Sequence, residues 1–269
     1  MSKSKYALIT GASAGLGLAF AEQLAAQNNH LILVARREQR LQKISQELST
    51  AHGIQVHYIV ADLADSQAAD DIYKHCQKHN WFVSQLINNA GYGVPGDFDQ
   101  VDWLTHEKQL NVMLNNLVKL THLFYPAMKQ AGHGGILQVA SLAGLAPPTA
   151  GHTLYGPMKA FVIKFAHSLH LEAKEHGVHV TAVCPGFTYT EFHDVNGTRS
   201  RMNALSKSLW MTADEVVTQS LTALAQNKPV KINGWRNQLI ALMTRLFPDK
   251  LIRALFQSNI QKYRKRSSD

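Results

Sequence analysis

Tyr155 and Lys159 stand four residues apart in a stretch with helical periodicity, so their side chains share one face and the lysine ammonium can lie near the phenol. A free tyrosine titrates at about 10, and a neighbouring positive charge favours the phenolate and brings it toward working pH. The pair can give a proton to an oxygen held against it, or remove one. Ser141 closes an apolar run upstream, where it can hydrogen-bond the same oxygen and stabilise its charge. A second chemistry is written in Thr10-Gly11-Ala12-Ser13-Ala14-Gly15-Leu16-Gly17, where a strand-like pattern gives way at once to a helical one. The glycines permit a tight turn and close approach of the backbone to a pyrophosphate, while free N–H groups at the helix start supply donors and positive potential.

These groups need elements to hold them, and the chain supplies strand-like apolar runs alternating with longer helical patterns. The runs are Tyr6–Thr10, His30–Arg36, Val56–Asp62, Gln85–Asn89, Gly135–Ser141 and Val178–Pro185, with a seventh near Val230–Asn233. Helical patterns cover Gly15–Gln27, Arg37–Ala51, Ser66–His79, Asp102–Gln130, Tyr155–His176 and Thr212–Gln226. The alternation predicts an α/β fold: a Rossmann-type, doubly wound parallel sheet of about seven strands with helices on both faces. Pro157 is tolerable only in a first helical turn, so the helix carrying Tyr155 must start within a residue or two of it. The segment between Ser141 and Tyr155 carries Pro147-Pro148.

In such a fold the residue closing the second strand, about 20 positions past the glycine loop, reads the adenosine ribose. An acid accepts from a 2′-hydroxyl, whereas arginine accommodates a 2′-phosphate. The strand here ends Val34-Ala35-Arg36-Arg37 without a carboxylate, which favours NADP(H) over NAD(H). Arg36 is then the principal phosphate ligand, with Arg37 stacking on adenine or facing solvent.

At 269 residues and 45% hydrophobic content the chain suits one large domain. The net charge of +8 is uneven: residues 1–227 carry 17 basic and 17 acidic side chains, and residues 228–269 carry 10 basic against 2 acidic. A neutral body without a recognised nucleic-acid motif excludes a nucleic-acid partner. The N-terminus has no signal-peptide apolar core, no run of about 18 apolar residues occurs, and only Cys76 and Cys184 are present, which together fit a cytoplasmic protein. Among the 14 histidines, the pairs His75/His79 and His167/His170 have helical spacing but no third ligand near, so no metal site is expected and His75 and His79 read as a solvated face.

The motif TGxxxGxG at residues 10–17, Asn88-Asn89-Ala90-Gly91 and Tyr155-xxx-Lys159 together resemble the short-chain dehydrogenase/reductase family over about residues 5–226. The likeness implies a catalytic tetrad of Asn111, Ser141, Tyr155 and Lys159, with Lys159 also holding the ribose and Asn111 a water that links the lysine to solvent. It implies that Asp62, with Leu63, borders the adenine ring, that Asn89, Ala90 and Gly91 support the cofactor, and that Pro185, Gly186, Thr188 and Thr190 grip the nicotinamide amide and pyrophosphate. The activity implied is hydride transfer between NADP(H) and a small-molecule carbonyl or alcohol. The alternative is a non-catalytic NADP(H)-binding regulator, which has no need of Ser141, Tyr155 and Lys159 together.

Substrate choice falls to Leu142–His152, Tyr92–Val94 and the segment from Phe187 to Met211, whose Phe187, Tyr189, Phe192, Met202, Leu205, Leu209, Trp210 and Met211 suit an apolar pocket or lid. Leu142, His152, Phe187 and Phe192 are the candidate substrate contacts, and His193 also flanks the pocket. Residues 1–230 make up the catalytic domain, and 231–269 a basic extension of two amphipathic helices broken at Pro248, in a chain expected to form a homodimer or homotetramer. Packing of its apolar stripe, Trp235 to Ile260, on the body or a second subunit is favoured over contact with a membrane surface.

Overall fold

The computed structural model describes residues 4–148, 150–191 and 209–247. Its strands are β1 (Lys5–Thr10), β2 (His30–Ala35), β3 (Val56–Val60), β4 (Phe82–Asn88), β5 (Gly134–Val139), β6 (Val178–Cys184), β7 (Phe187–Thr188), β8 (Trp210–Met211) and β9 (Val230–Ile232). The helices are α1 (Gly15–Ala26), α2 (Glu38–His52), α3 (Ala68–Lys78), α4 (Trp103–Leu110), α5 (Asn116–Ala131), α6 (Tyr155–Ala173), α7 (Ala213–Ala225) and α8 (Trp235–Leu246). Seven strands pair in the order β3-β2-β1-β4-β5-β6-β9, all parallel, while β7 and β8 form a separate small ribbon. This is the doubly wound α/β sheet expected of the alternating pattern.

Period-two alternation divides the core into two layers. Leu8, Ile32, Val34, Leu86, Ile136 and Val180 face one side of the sheet and pack with Phe124, Met128 and Ala166 from α5 and α6. Their neighbours Ile9, Leu31, Leu33, Ile87, Leu137 and Val183 face the other, where Phe20, Leu24, Leu41 and Val217 meet them. Helix ends follow local chemistry. Gly53 (φ 65°) and Gly132 (φ 68°) end α2 and α5 in the left-handed region. Thr212 and Glu215 form a reciprocal capping box at the start of α7.

Two expectations needed adjustment. The helix read as Asp102–Gln130 is split by a π-helical turn over Asn111–Asn115. Strand β4 begins at Phe82, three residues before its expected start, because its pairing with β1 slips between Tyr6 and Ala7 and so admits the extra length. The extension contributes β9's neighbour α8, which turns Asn237 and Ala241 toward the body. Trp235, Leu239, Leu242 and Leu246 are exposed among the described residues, so of the two packings expected from sequence, on the body or on a second subunit, this part of the apolar stripe does not make the first. Pro248 and the second amphipathic pattern, through Ile260, lie outside the described residues.

At the amino ends of the strands, far from where ligands sit in such sheets, four histidines gather around Trp81 and Tyr6. His57 stacks on Trp81 at 4.2 Å, His79 stacks on Trp81 at 4.7 Å and on His75 at 4.4 Å, and His30 lies 5.6 Å from Tyr6. The His75/His79 pair is thus a ring stack on a face that stays open to solvent at His79. Burial, then the charges of His79, His30 and His75, hold His57 below the usual histidine value; burial, His79 and Lys78 do the same to His75. A base whose pKa is lowered by folding stabilises the fold in its neutral form, so this contribution is complete above about 6.5 and is lost as pH falls below that value. We expect the thermal midpoint to fall between pH 7.5 and 5.5, and the slope to flatten in His57→Phe, which keeps the stack on Trp81 but does not titrate. Melting curves across that range check both.

Candidate active site

In the sheet order β1 and β4 are neighbours, yet the chain leaves them toward opposite edges, so the loops that follow them part and open a crevice. A single hydroxyl ties the two strand ends together. Thr10 Oγ1 accepts from the backbone N–H groups of Asn89 (3.0 Å) and Ala90 (3.1 Å), and it is buried. Asn89 returns the contact, its Nδ2 donating to the Thr10 carbonyl at 2.9 Å. Its neighbour Asn88 points to the other face and donates to Thr121 Oγ1 at 3.0 Å, where Gln138 also donates at 2.9 Å.

The glycine loop turns tightly above this clamp. A Cβ on Gly17 would stand 2.2 Å from the Gly11 carbonyl oxygen, so only glycine lets the helix start close over the strand end. Helix α1 has no acidic residue in its first turn and no side-chain cap, so its leading N–H groups point into the crevice mouth. Thr190 stands over Gly15, whose added Cβ would meet it at 3.2 Å. Ser13 accepts from Arg37 through Nε (3.1 Å) and Nη2 (2.9 Å), whereas Arg36 reaches Asp62 at 3.8 Å. The arginine seated on the glycine loop is therefore Arg37. Leu63 is fixed through its carbonyl, which accepts from buried Asn116 at 2.8 Å. This donor set suits a dinucleotide: a positive helix end and glycine turn for a diphosphate, with guanidinium groups beside them.

Across the crevice Ser141 follows the carboxyl end of β5, and α6 begins at Tyr155, which puts Pro157 in the first turn. Ser141 Oγ accepts from the Ala143 N–H at 3.1 Å and shares a hydrogen bond with Tyr155. Lys159 is buried, donates to the Val139 carbonyl at 2.7 Å and lies 5.8 Å from the centre of the Tyr155 ring. Burial pushes the Tyr155 hydroxyl up to about 12, with the Ser141 hydrogen bond pulling the other way, and burial brings Lys159 down to about 8. Loss of solvent is thus the largest influence on the Tyr155 hydroxyl among the protein's own groups. Gly144 lets the chain pass over α6, since a Cβ there would stand 2.6 Å from the Lys159 carbonyl carbon.

A family model described as short chain dehydrogenase matches residues 5–200. The chain belongs to this family. It is 36% identical over 194 residues to Sulfoacetaldehyde reductase 2 of Chromohalobacter salexigens, covering 70% of this chain and 75% of that one. It is 30% identical over 236 residues to an uncharacterized oxidoreductase of Staphylococcus epidermidis, covering 86% and 95%. A short-chain dehydrogenase from Sphingobium yanoikuyae, solved in complex with NADPH, superposes with a TM-score of 0.80 at 30% identity over 98% of this chain and 97% of that one. As a member of the short-chain dehydrogenases, the chain is an oxidoreductase acting between alcohol and carbonyl groups.

Of the tetrad that the short-chain dehydrogenase pattern implies, Ser141, Tyr155 and Lys159 are brought together. Asn111 opens the π turn, and its side chain is engaged elsewhere, donating to the Ala64 carbonyl at 3.0 Å and accepting from Asn115 at 2.8 Å. Gly91 lies near Lys159, whose Nζ would be 3.6 Å from a Cβ there. Leu142 donates its N–H to the Pro185 carbonyl at 2.9 Å, and Thr188 donates to the Gly186 carbonyl at 3.1 Å. Phe187 lies 5.5 Å from Trp210, and Tyr189 stacks on Trp210 at 4.8 Å, making an aromatic wall along β7 and β8. His152 is bridged to Gly96 and hydrogen-bonded to the Val94 backbone, with burial holding it below the usual histidine range. Phe192, His193, Met202 and Leu205 lie outside the described residues. Sequence reasoning missed Gln109, whose buried amide donates to the Tyr92 carbonyl at 3.1 Å and fixes the loop after β4, as well as Asn116, Arg40 and Glu191. Among the described residues no group of three or more histidines, cysteines or acids could hold a metal ion, and no helix is long and apolar enough to cross a membrane.

Replacing Thr10 with Val leaves the Asn89 and Ala90 N–H groups without their acceptor while keeping the side chain's shape. We expect a loss of about 1–3 kcal/mol in unfolding free energy, the usual cost of an unsatisfied buried donor, read from the urea midpoint at unchanged m-value.

Proposed function

We propose that this protein is an NADP(H)-dependent oxidoreductase that interconverts a carbonyl and an alcohol on an apolar, medium-sized substrate. The observation that carries the reading is the Ser141–Tyr155 hydrogen bond beside the buried Lys159, at the carboxyl edge of a sheet whose glycine loop opens the same crevice. The NADPH complex of the Sphingobium yanoikuyae neighbour supports the cofactor. Thr10 to Gly17, Asn89 to Gly91, Pro185, Gly186, Thr188 and Thr190 would hold it, with Ser13, Arg36, Arg37, Asp62 and Leu63 at the adenosine end. When bound, the dinucleotide supplies or accepts the hydride.

The chain's own residues handle the oxygen and the proton. Ser141 Oγ, fixed by the Ala143 N–H and hydrogen-bonded to Tyr155, would turn its hydroxyl proton to the substrate oxygen when substrate binds between them. Tyr155, with its pKa raised to about 12, is a neutral acid at pH 7 and gives its proton to that oxygen during reduction. In oxidation it takes the proton back. Lys159, anchored on the Val139 carbonyl, stabilises the phenolate left behind and holds the ribose. The aromatic wall of Phe187, Tyr189 and Trp210, with Leu142 and His152, favours an apolar substrate. Residues 1–230 form the catalytic body and 231–269 an extension. A homodimer or homotetramer is supported by an open cleft of about 520 Å³ in which Leu114, Val118 and Phe161 stand with Asn115, Lys119 and His122, and by the exposure of Phe161 and Leu171 on α6.

Tyr155→Phe should lower turnover by about two to four orders of magnitude while leaving dinucleotide affinity nearly intact. NADPH consumption against a panel of carbonyls graded by size and polarity gives the baseline, and full activity in the phenylalanine variant would refute the role.

NADPH should bind at least about tenfold more tightly than NADH, equivalent to about 1.4 kcal/mol. Arg36→Asp should erase or invert that preference. Fluorescence titration with both dinucleotides measures it, and equal affinities in the unmodified protein count against the assignment.

A further inference from the structure

The guanidinium of Arg37 is shared between two acceptors. Its Nε and Nη2 donate to Ser13, and its Nη1 donates to Glu191 Oε2 at 3.1 Å. Arg40, one helical turn along α2, donates from Nη1 to both oxygens of the same carboxylate, at 2.9 and 3.1 Å. Glu191 comes from the far side of the crevice, 154 residues from Arg37 in sequence and directly after Thr190. Arg36 does not join this group, being turned toward Asp62. The chain thus contributes its own anion to a cradle of two arginines and a hydroxyl at the lip of the glycine loop.

We propose that Glu191 is a resident competitor for the 2′-phosphate of the cofactor: its carboxylate holds Arg37 and Arg40 until a dinucleotide carrying this phosphate displaces it, so it weakens the binding of that cofactor and leaves one without the phosphate unaffected. The proposal rests on the NADP(H) reading above and adds the residue that sets how strongly the two cofactors are discriminated. Charge and geometry carry it. A phosphate monoester brings nearly two negative charges and three acceptor oxygens, against one charge and two oxygens for the carboxylate. It therefore outbids Glu191 for forked donors, while NADH offers them nothing. The pairs are open to exchange, because the side chains of Arg37, Arg40 and Glu191 are 42%, 49% and 46% exposed, and ion pairs in that setting are individually weak. Arg40 and Arg37 hold the Glu191 carboxyl below the usual carboxylate range, so it stays charged through neutral and mildly acidic pH. Because Glu191 follows Thr188 and Thr190, the exchange also connects the adenosine end of the site to the strand expected to grip the nicotinamide end.

Glu191→Gln keeps the shape and removes the charge. Affinities of the full-length protein and this variant for NADPH, NADH, adenosine 2′,5′-bisphosphate and 5′-AMP, measured by calorimetry, test the idea. We expect the two 2′-phosphorylated ligands to bind about tenfold more tightly to the variant, NADH and 5′-AMP to change by less than about twofold, and Arg37→Ala combined with Glu191→Gln to abolish the gain. Unchanged or weaker binding of the 2′-phosphorylated pair overturns the proposal and makes Glu191 an organiser of the arginines. An equal gain for all four ligands overturns it as well. If the unmodified protein binds NADPH and only the gain is missing, the competitor fails alone; if it binds neither dinucleotide, the cofactor reading fails and takes the competitor with it.

Discussion

A parallel strand covered on both faces must be apolar along its length, because a polar side chain there would lose water without a partner. In this protein β1, β2 and β5 are buried from their second residue and β6 from its third, so most of the polar groups of the crevice stand where strands stop. Thr10, Asn88, Ser141 and the turn after Cys184 all lie at carboxyl ends, and the strand order brings those ends side by side. The Thr10 hydroxyl then fixes the spacing between the two central ends by accepting from two consecutive N–H groups of the neighbouring loop. The glycine loop and the Asn89–Gly91 segment keep their mutual position through that acceptor and the returning bond from the Asn89 amide to the Thr10 carbonyl.

The same burial sets the electrostatic character of the site. Lys159 is 5% exposed and keeps its ammonium by giving it to a main-chain carbonyl, at the end of a strand whose own pairing is complete. Cys184, beneath it, has its thiol pushed up to about 12 by burial and stays a neutral small side chain. An ammonium held in this way is weakly solvated, so it responds strongly to negative charge appearing nearby. Tyr155 meets the same condition from the other side, as a phenol that is costly to ionise until something new shares its environment.

Much of the architecture was legible in the chain because two periodicities do not overlap. Runs such as His30–Arg36 alternate between the two core layers, whereas Gly15–Gln27 repeats at helical spacing, and the glycine turn between Thr10 and Gly17 marks the change. The π turn at Asn111–Asn115 was not legible, since its residues have ordinary helical propensities and the extra residue is set by contacts with the loop holding Ala64. The early start of β4 depended on a register slip opposite Tyr6 and Ala7, which no local pattern records. Two adjacent arginines could be counted but not told apart, because their partners, Ser13 and Asp62, come from different strands' loops. Arg40 has no partner close in sequence that marks it, and only the fold carries Glu191 to it. Tyr155, Ser141 and Lys159 were readable as chemistry, yet the balance of burial against charge that governs them belongs to the packed molecule.

Helix α8 reaches the site by an unexpected route. Its inward face is polar and small, and a Cβ on Gly186 would stand 2.5 Å from Asn237 Nδ2, while Thr244 donates to the Leu145 carbonyl at 3.3 Å. The turns after β5 and β6 therefore lean on residues near the carboxyl end of the described chain. During synthesis the first six strands can pair once Cys184 has left the ribosome, but the turn at Gly186 gains its neighbour only after Asn237 has followed. A nascent chain at that stage carries nearly all of its sheet and an unfinished crevice, so competence to bind follows the sheet rather than accompanying it.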